Sequence, residues 1–247
     1  MDFQYLILIA IGFCAQMIDG ALGMAFGIIA TSTLIATGVP PAIASAAIHA
    51  AEVVTTAISG VSHLWNGNVD RKLLFRLVAT GVAGGVVGAY VLTGLPENII
   101  RPIVTIYLGA MSVLIFARVL GWKLVRWKPS ISIVGAGGGF LDAVGGGGWG
   151  PLVASTLMAS GDNPRRTVGS VNLAEFFVTV SVSVTFLTQL DFASYGELAL
   201  GLVIGGAIAA PLAGYLVRIL PTRVMLTLVG IVVGALCLAN VASLFMR

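Results

Sequence analysis

Four carboxylates occupy matched positions in two copies of one apolar, glycine-interrupted segment of this chain. Asp19 corresponds to Asp142 and Glu52 to Glu175, at a constant offset of 123 residues. Carboxylates are scarce in apolar segments because burying their charge is costly, and those that occur there commonly serve ion or proton pathways. The two matched pairs are therefore the first candidates for chemistry.

Each glutamate has a polar neighbour on the same helical face. His49 precedes Glu52 by three residues, and Asn172 precedes Glu175 by the same spacing, which places each pair on one side of a helix. We interpret these four residues as groups for proton coupling or for site polarity. Hydrogen bonding between helices is the alternative interpretation of the same pattern.

Glycine clusters follow both aspartates. Glycine lets a ligand approach backbone amides closely, and a helix that restarts after a break presents unpaired N–H groups with partial positive charge. Two such helix starts facing each other would bind an anion. The aspartates could cap the restarting helices, accept protons or satisfy freed backbone donors, and close helix packing through glycine is the alternative. The residues assigned to substrate binding on this ground are Asp19, Gly20, Gly23, Asp142, Gly145, Gly146, Gly147 and Trp149.

Hydroxyl groups follow each glycine break. Ser32, Ser155 and Thr156 are further candidates for substrate contact, although such hydroxyls equally often bond the backbone of their own helix. Trp149 lies inside the second break and is expected to line the site. Tyr107 lies near the end of a predicted span, where aromatic residues commonly anchor the membrane interface.

The matched residues belong to an internal repeat. Gly12–Thr56 and Gly135–Thr179 are identical at 13 of 45 positions without a gap, where chance would give about four or five in so skewed a composition. A two-residue shift then aligns Gly81 with Gly206, so the repeat spans nearly the whole chain. Duplicated hydrophobic segments interrupted by glycine are typical of secondary transporters.

The composition is that of an integral membrane protein. Hydrophobic residues make up 58% of the chain and charged residues 9%, and the mean hydropathy is +1.04, whereas a soluble domain carries about 25% charged residues. The basic residues lie in loops and indicate topology rather than nucleic-acid binding. The sequence has no Gly-x-Ser-x-Gly or His-Glu-x-x-His motif and two histidines, so we expect no enzyme, no metal and no cofactor.

Hydrophobic stretches predict three plain membrane spans in each half of the chain, each long enough for a helix that crosses the bilayer. The first stretch of each half, Phe3–Gly38 or Ile131–Ser160, instead forms either one broken crossing or a hairpin of two short helices. The predicted single spans are Ala42–Leu64, Leu73–Gly94, Ile99–Leu120, Val168–Thr188, Leu198–Val217 and Val224–Phe245.

The distribution of basic residues favours the hairpins. With two hairpins, the 13 Lys and Arg residues divide 11 to 2 between the faces, and with two broken crossings they divide 8 to 5. Since cytoplasmic loops are enriched in these residues, the hairpins are preferred, the two halves are inverted, and both termini lie outside the cytoplasm. The predicted units are residues 1–120, a basic cytoplasmic linker at 121–130, and residues 131–247.

At these residues the chain resembles the TauE/SafE family of bacterial membrane anion transporters. The resemblance rests on the paired Asp-x-x-x-Gly-x-x-x-Gly breaks, on the Gly-x-x-Pro turns at Gly38–Pro41 and Gly161–Pro164, and on the central basic linker. It covers essentially the full length. Similarity to this family implies transport, generally export, of sulfur-containing anions such as sulfite, sulfonates or sulfoacetate.

Together these observations predict an all-α polytopic protein of the bacterial inner membrane, built from two inverted repeats that each contain a glycine-broken hairpin and three transmembrane helices. The expected partners are the lipid bilayer and a small anionic substrate held between the hairpins, and a homodimer is left open. One repeat would rock against the other during transport. A passive anion channel and a transporter of a non-sulfur carboxylate or oxyanion are the alternatives.

Overall fold

The computed structural model describes residues 3–22, 24–121, 129–159, 164–219 and 221–245, and within these ranges the chain is helical without a strand. A π-helical turn, Gly150–Ala154, leads into α7, and a short 3-10 turn, Phe192–Ser194, precedes α9. The helices are α1 Phe3–Leu22, α2 Phe26–Ala36, α3 Pro41–Trp65, α4 Arg71–Gly94, α5 Glu97–Val119, α6 Ile131–Gly145, α7 Ser155–Ala159, α8 Pro164–Gln189, α9 Gly196–Ile219 and α10 Thr222–Phe245.

The predicted single spans correspond to α3, α4, α5, α8, α9 and α10. In the described part of the chain, five of these helices are long and apolar enough to cross a membrane, which makes this an all-α, multi-pass membrane protein. The predicted linker lies mostly outside the described residues, because 122–128 fall in a gap between them.

Local sequence explains where several helices begin and end. Asp70 caps α4 by accepting hydrogen bonds from the N–H groups of Lys72 and Leu73, and Pro41 occupies the first turn of α3, where its missing N–H costs nothing. Gly146 caps the C-terminal end of α6 with a left-handed backbone, φ 67°, a conformation that glycine adopts without strain.

Glycine allows two helix pairs to pack with their backbones in contact. A Cβ placed on Gly84 would meet the Ala136 backbone, and one on Gly88 would meet that of Phe140, so α4 and α6 run parallel. In the same way a Cβ on Gly205 of α9 would meet the Ile9 backbone of α1. Gly201 faces Leu8 and Gly206 faces Gln16, so α1 and α9 also run parallel. Small residues at such contacts are the usual means of tight packing in membranes.

Two further helix pairs fix the remaining directions. Ser59 and Thr56 of α3 meet Asn172 and Thr179 of α8, respectively, so α3 and α8 are antiparallel. The backbone of α8 lies beside α4 in a parallel sense, with Ser170 at Asp70 and Val182 at Gly85.

These directions require the chain to reverse within each glycine-broken segment. Leu34, near the end of α2, lines one pocket with Gln4 and Leu8, near the start of α1, so α2 runs back along α1. Helices α6 and α8 both run with α4, so α7 returns between them. The contacts thus match a hairpin in each half, and α3 and its equivalent α8 point in opposite directions.

Candidate functional site

The aspartate of each hairpin binds the start of the second arm. Asp19 Oδ1 accepts a hydrogen bond from the Phe26 N–H at 3.2 Å, and Asp142 Oδ1 accepts one from the Trp149 N–H at 2.9 Å. The two bonds are equivalent, because both donor and acceptor differ by 123 residues. Each aspartate therefore binds a backbone N–H that the break leaves without a helical partner, which is one of the roles expected for it.

The two glycine breaks touch each other. Gly27 of α2 lies against Gly147, since a Cβ on either glycine would collide with the backbone of the other. The Thr31 hydroxyl donates to the Gly146 carbonyl, and the Tyr107 hydroxyl donates to the Gly147 carbonyl at 2.8 Å. The tip of the second hairpin is thus held by both α2 and α5.

The backbone of both breaks has left-handed residues. In the second break φ is 67° at Gly146, 133° at Gly147 and 136° at Gly148, and in the first break φ is 109° at Ala25. Ala25 is equivalent to Gly148 and carries a Cβ in a region that costs about 1–2 kcal/mol for such residues. Strain of this kind collects at functional sites.

Four of the predicted residues line one cavity of about 140 Å³, next to the contact between the breaks. They are Asp19, Glu52, Asn172 and Glu175. The sequence reasoning missed the other lining residues, although several of them form a polar stripe at helical spacing with Glu52 on α3. The missed residues are Gln16, Phe26, Thr55, Thr56, Ser59 and His63.

Two buried acceptor atoms in this cavity lack a partner. Glu52 is 5% exposed and Gln16 is 6% exposed, and among the described residues nothing donates a hydrogen bond to Glu52 Oε2 or Gln16 Oε1. The other carboxylate oxygen of Glu52 lies near the break, 3.1 Å from a Cβ built on Gly27. Buried acceptors of this kind need a donor to offset their desolvation, and a bound ligand or a proton would supply one.

His49 contacts a carboxylate of the other half of the chain, Asp142. Its Nε2 lies 3.2 Å from Asp142 Oδ2, and the His49 and Asp142 side chains are 0% and 1% exposed. Its Nδ1 lies 2.8 Å from the Ser45 carbonyl. Sequence spacing alone cannot predict this pair, because α3 and α6 are brought together by the tertiary fold.

Two of the three predicted hydroxyls bond their own helices, whereas that of Ser32 has no partner among the described residues. Ser155 donates to the Pro151 carbonyl, and Thr156 donates to the Leu152 carbonyl at 2.7 Å, which is the alternative that the sequence left open. Ser32 is fully buried on α2. All three lie outside the described lining of the cavity.

The aromatic and glycine candidates support the breaks. Trp149 is fully buried, and its Nε1–H donates to the Val171 carbonyl at 3.0 Å. Tyr107, expected at the membrane interface, is instead buried against the second break. Gly20 lies in the last turn of α1 and Gly145 ends α6, whereas Gly23 lies outside the described residues.

One cation reaches the breaks as well. Arg118 on α5 donates from Nη2 to the Pro151 carbonyl at 3.1 Å, and its Nη1 lies 3.0 Å from Met24 Sδ. The described residues pair no carboxylate with it. Within the same ranges no group of three or more His, Cys, Asp or Glu side chains is arranged to hold a metal ion.

Comparison with known proteins gives the family. The family model described as "Sulfite exporter TauE/SafE" matches residues 8–240. The chain belongs to the TauE/SafE family. It is also similar to the "Probable membrane transporter protein YtnM" of Bacillus subtilis (strain 168), at 41% identity over 248 residues, which covers 95% of this chain and 80% of that protein. No solved structure matches. Membership of TauE/SafE makes this chain a membrane transporter.

Proposed function

We propose that this protein is a secondary transporter of the bacterial inner membrane that exports small sulfur-containing anions, such as sulfite, sulfonates or sulfoacetate, by alternating access. The family description, which names a sulfite exporter, supports this substrate class and direction. The observation that carries the mechanism is the contact between the two breaks, Gly27 against Gly147. A site formed where two broken hairpins meet is accessible from one face at a time when the halves rock.

The charges around the cavity support coupling to protons. Three carboxyls, Asp19, Glu52 and Glu175, line it, and two like charges about 4 Å apart repel by about 4 kcal/mol at an effective dielectric constant of 20. An anion would therefore enter far more readily with these carboxyls protonated. Anion and protons would then move together, and Arg118 beside the breaks would attract the anion.

The position of the cavity supports uptake of substrate from the cytoplasm. It extends along α3 to His63, near the helix end that is followed by Arg71 and Lys72. These basic residues belong to the face that the positive-inside rule assigns to the cytoplasm. This position supports an inward-facing conformation as the first step of the proposed export.

Transport by the purified protein in liposomes tests this function. Vesicles loaded with sulfite, sulfoacetate, isethionate, taurine, acetate or sulfate are diluted into substrate-free buffer, and substrate efflux is measured together with the internal pH. We expect saturable efflux with proton movement. Flux without saturation would indicate a passive channel, and flux of acetate or sulfate alone would move the substrate to another class of anion.

Glutamine substitutions test the carboxyls. Glu52→Gln keeps the size of the side chain but cannot release a proton, so we expect efflux at least about tenfold less dependent on pH, with normal insertion in the membrane. Glu175→Gln is the matched control at the equivalent position, and its effect should be smaller because Glu175 is only half-buried. Unchanged proton movement in Glu52→Gln would remove this residue from the coupling mechanism.

A further inference from the structure

The side of the molecule opposite the cavity is closed by apolar packing. Three polar cavity residues of α3 have equivalents on α8 that are apolar and fully buried. We call the cavity region the open side and the region of these equivalents the closed side. The matched pairs, each 123 residues apart, are Thr55 and Val178, Ser59 and Val182, and His63 and Phe186.

The closed side also contains the His49–Asp142 pair, and its hydrogen bonds fix one proton. His49 Nδ1 faces the Ser45 carbonyl, which only accepts hydrogen bonds. The Ser45 hydroxyl, 3.3 Å from Nδ1, donates its hydrogen to the Ala143 carbonyl at 2.6 Å and can therefore only accept from the imidazole. Nδ1 thus carries a proton.

The contact on the other side of the ring then requires a second proton. With Nδ1 protonated, a neutral imidazole presents a lone pair at Nε2, and ionised Asp142 also presents lone pairs. The 3.2 Å contact between Nε2 and Oδ2 is favourable only when a proton lies between them, on either atom. Losing it would leave two acceptors facing each other in a fully buried position.

The described residues of the open side form no equivalent pair. The residues there that are equivalent to His49 and Asp142 are Asn172 and Asp19. Asn172 repeats the bond of His49 to its own helix by donating to the Val168 carbonyl at 3.0 Å. Its Oδ1, however, accepts from Ser59 at 3.1 Å. Both Asn172 and Asp19 line the cavity. Where histidine is replaced by asparagine, the two halves are therefore not joined through a proton.

We propose that His49 Nε2 and Asp142 Oδ2 share one proton, and that this proton holds the closed side shut by joining α3 of one half to α6 of the other. Release of the proton lets the halves part there. The inference rests on the proposed function only for the role of this opening in transport. The proton site itself stands on the geometry of the pair.

Three other titratable groups interact electrostatically with the pair. Glu52 on α3, Glu175 on α8 and Tyr107 on α5 all interact with the Asp142 carboxyl. The ring of Phe186, also on α8, lies 6.0 Å from that of His49. A negative charge gained by the pair would repel the two glutamates, so proton release here favours proton uptake at the cavity.

Matched cysteine reporters measure opening directly. Ser59→Cys reports the open side and Val182→Cys reports its equivalent on the closed side, each in a background with Cys14 and Cys237 changed to Ala. Labelling by a small polar maleimide is measured from pH 5 to pH 9. The ratio of the two rates removes the shared increase in thiolate. We expect Ser59→Cys to react faster than Val182→Cys at low pH. The ratio of the Val182→Cys rate to the Ser59→Cys rate should rise with pH.

Two substitutions should move the closed side in opposite directions. His49→Asn removes the proton site and should raise Val182→Cys labelling by about tenfold or more at low pH, as expected for loss of one charge-assisted hydrogen bond. Asp142→Asn should keep the closed side shut at every pH. Its amide can still accept from Trp149 and can donate to Nε2 without a titrating proton. The same pH response in both variants as in the parent would overturn the proposal.

Histidine NMR checks the proton without any cysteine or substrate. The chain has two histidines, so ¹⁵N-histidine labelling gives two imidazoles, and His63→Gln identifies that of His49. We expect a protonated Nδ1 throughout and an Nε2 that loses its proton contact as the pH rises. A His49 protonated on Nε2 alone would refute the assignment. An intact proton contact without any anion flux would contradict the proposed function and leave the proton site standing.

Discussion

The same crossing, between one helix of each half, occurs twice in this protein: α4 crosses α6, and α9 crosses α1. Both pairs touch through their backbones, but they differ in packing beside the hairpin breaks. A Cβ on Gly81 of α4 would lie 2.5 Å from the Trp149 ring, whereas a Cβ on its equivalent, Gly206 of α9, would have Thr55 as its nearest neighbour at 3.6 Å. Phe26 occupies the position equivalent to Trp149 and lines the cavity. One crossing is therefore filled and the other leaves a space.

The difference in packing comes from a few side chains, because the two crossings have the same backbone arrangement. Both halves keep the aspartate that binds the second arm of the hairpin. The tight crossing combines a large indole with glycine at position 139, and the loose crossing has a smaller ring and Gln16 at the equivalent position. A duplicated scaffold thus provides a packed region and a polar cavity without any change of topology. Exchanging residues between the two crossings tests this account.

The largest effect is expected when the first half's residue enters the tight crossing. Gly139→Gln places a Cβ against the Gly81 backbone, which cannot move as a side chain can. Overpacking costs about 1–3 kcal/mol and more where the backbone must shift, so we expect little folded protein. Size-exclusion chromatography and thermal unfolding in detergent measure the outcome.

The reverse substitution is the control for this prediction. Gln16→Gly removes a buried amide whose Oε1 has no partner among the described residues, so the protein should fold and should unfold within a few degrees of the parent. If both substitutions destabilise the protein equally, the two crossings do not differ in packing as described here.

A smaller effect of the same kind is expected from alanine at the two equivalent glycines. Gly81→Ala forces the buried Trp149 ring to move and should cost about 1–3 kcal/mol. Gly206→Ala makes ordinary van der Waals contacts and should be neutral or stabilising by up to about 1 kcal/mol, because alanine favours the helix. Chemical denaturation compares the two variants, and a Gly206→Ala that unfolds as early as Gly81→Ala would contradict the asymmetry.

The helices and the carboxylate cluster could be predicted from the sequence because their signals are local or repeated. Long apolar stretches give the spans, and the offset of 123 residues pairs Glu52 with Glu175, both of which line the cavity. The basic residues favour the hairpins, and the antiparallel packing of α3 with α8 agrees with them. Periodicity and charge are sufficient for this level of description.

The asymmetry between the halves could not be predicted in this way. The contact of His49 with Asp142 and that of Tyr107 with Gly147 each join residues distant in the chain, and no spacing rule indicates them. The repeat itself hides the difference, because aligned positions suggest equal surroundings. Whether a crossing is filled depends on the sizes of several side chains together, such as Trp149 with Gly138 and Gly81.

The smallest effect is expected at Thr56 and Thr179, where equivalent residues of the two halves face each other. Thr56 and Thr179 are equivalent, their hydroxyls lie 3.5 Å apart, and each donates to a carbonyl of its own helix. Because both bonds are local, Thr56→Val and Thr179→Val should each change the free energy of unfolding by less than about 1 kcal/mol. The double variant should equal the sum of the single ones within about 0.5 kcal/mol. Coupling well above that value would mean that the hydroxyls bond each other across the interface, and the two halves would then be joined at their centre as well as at the closed side.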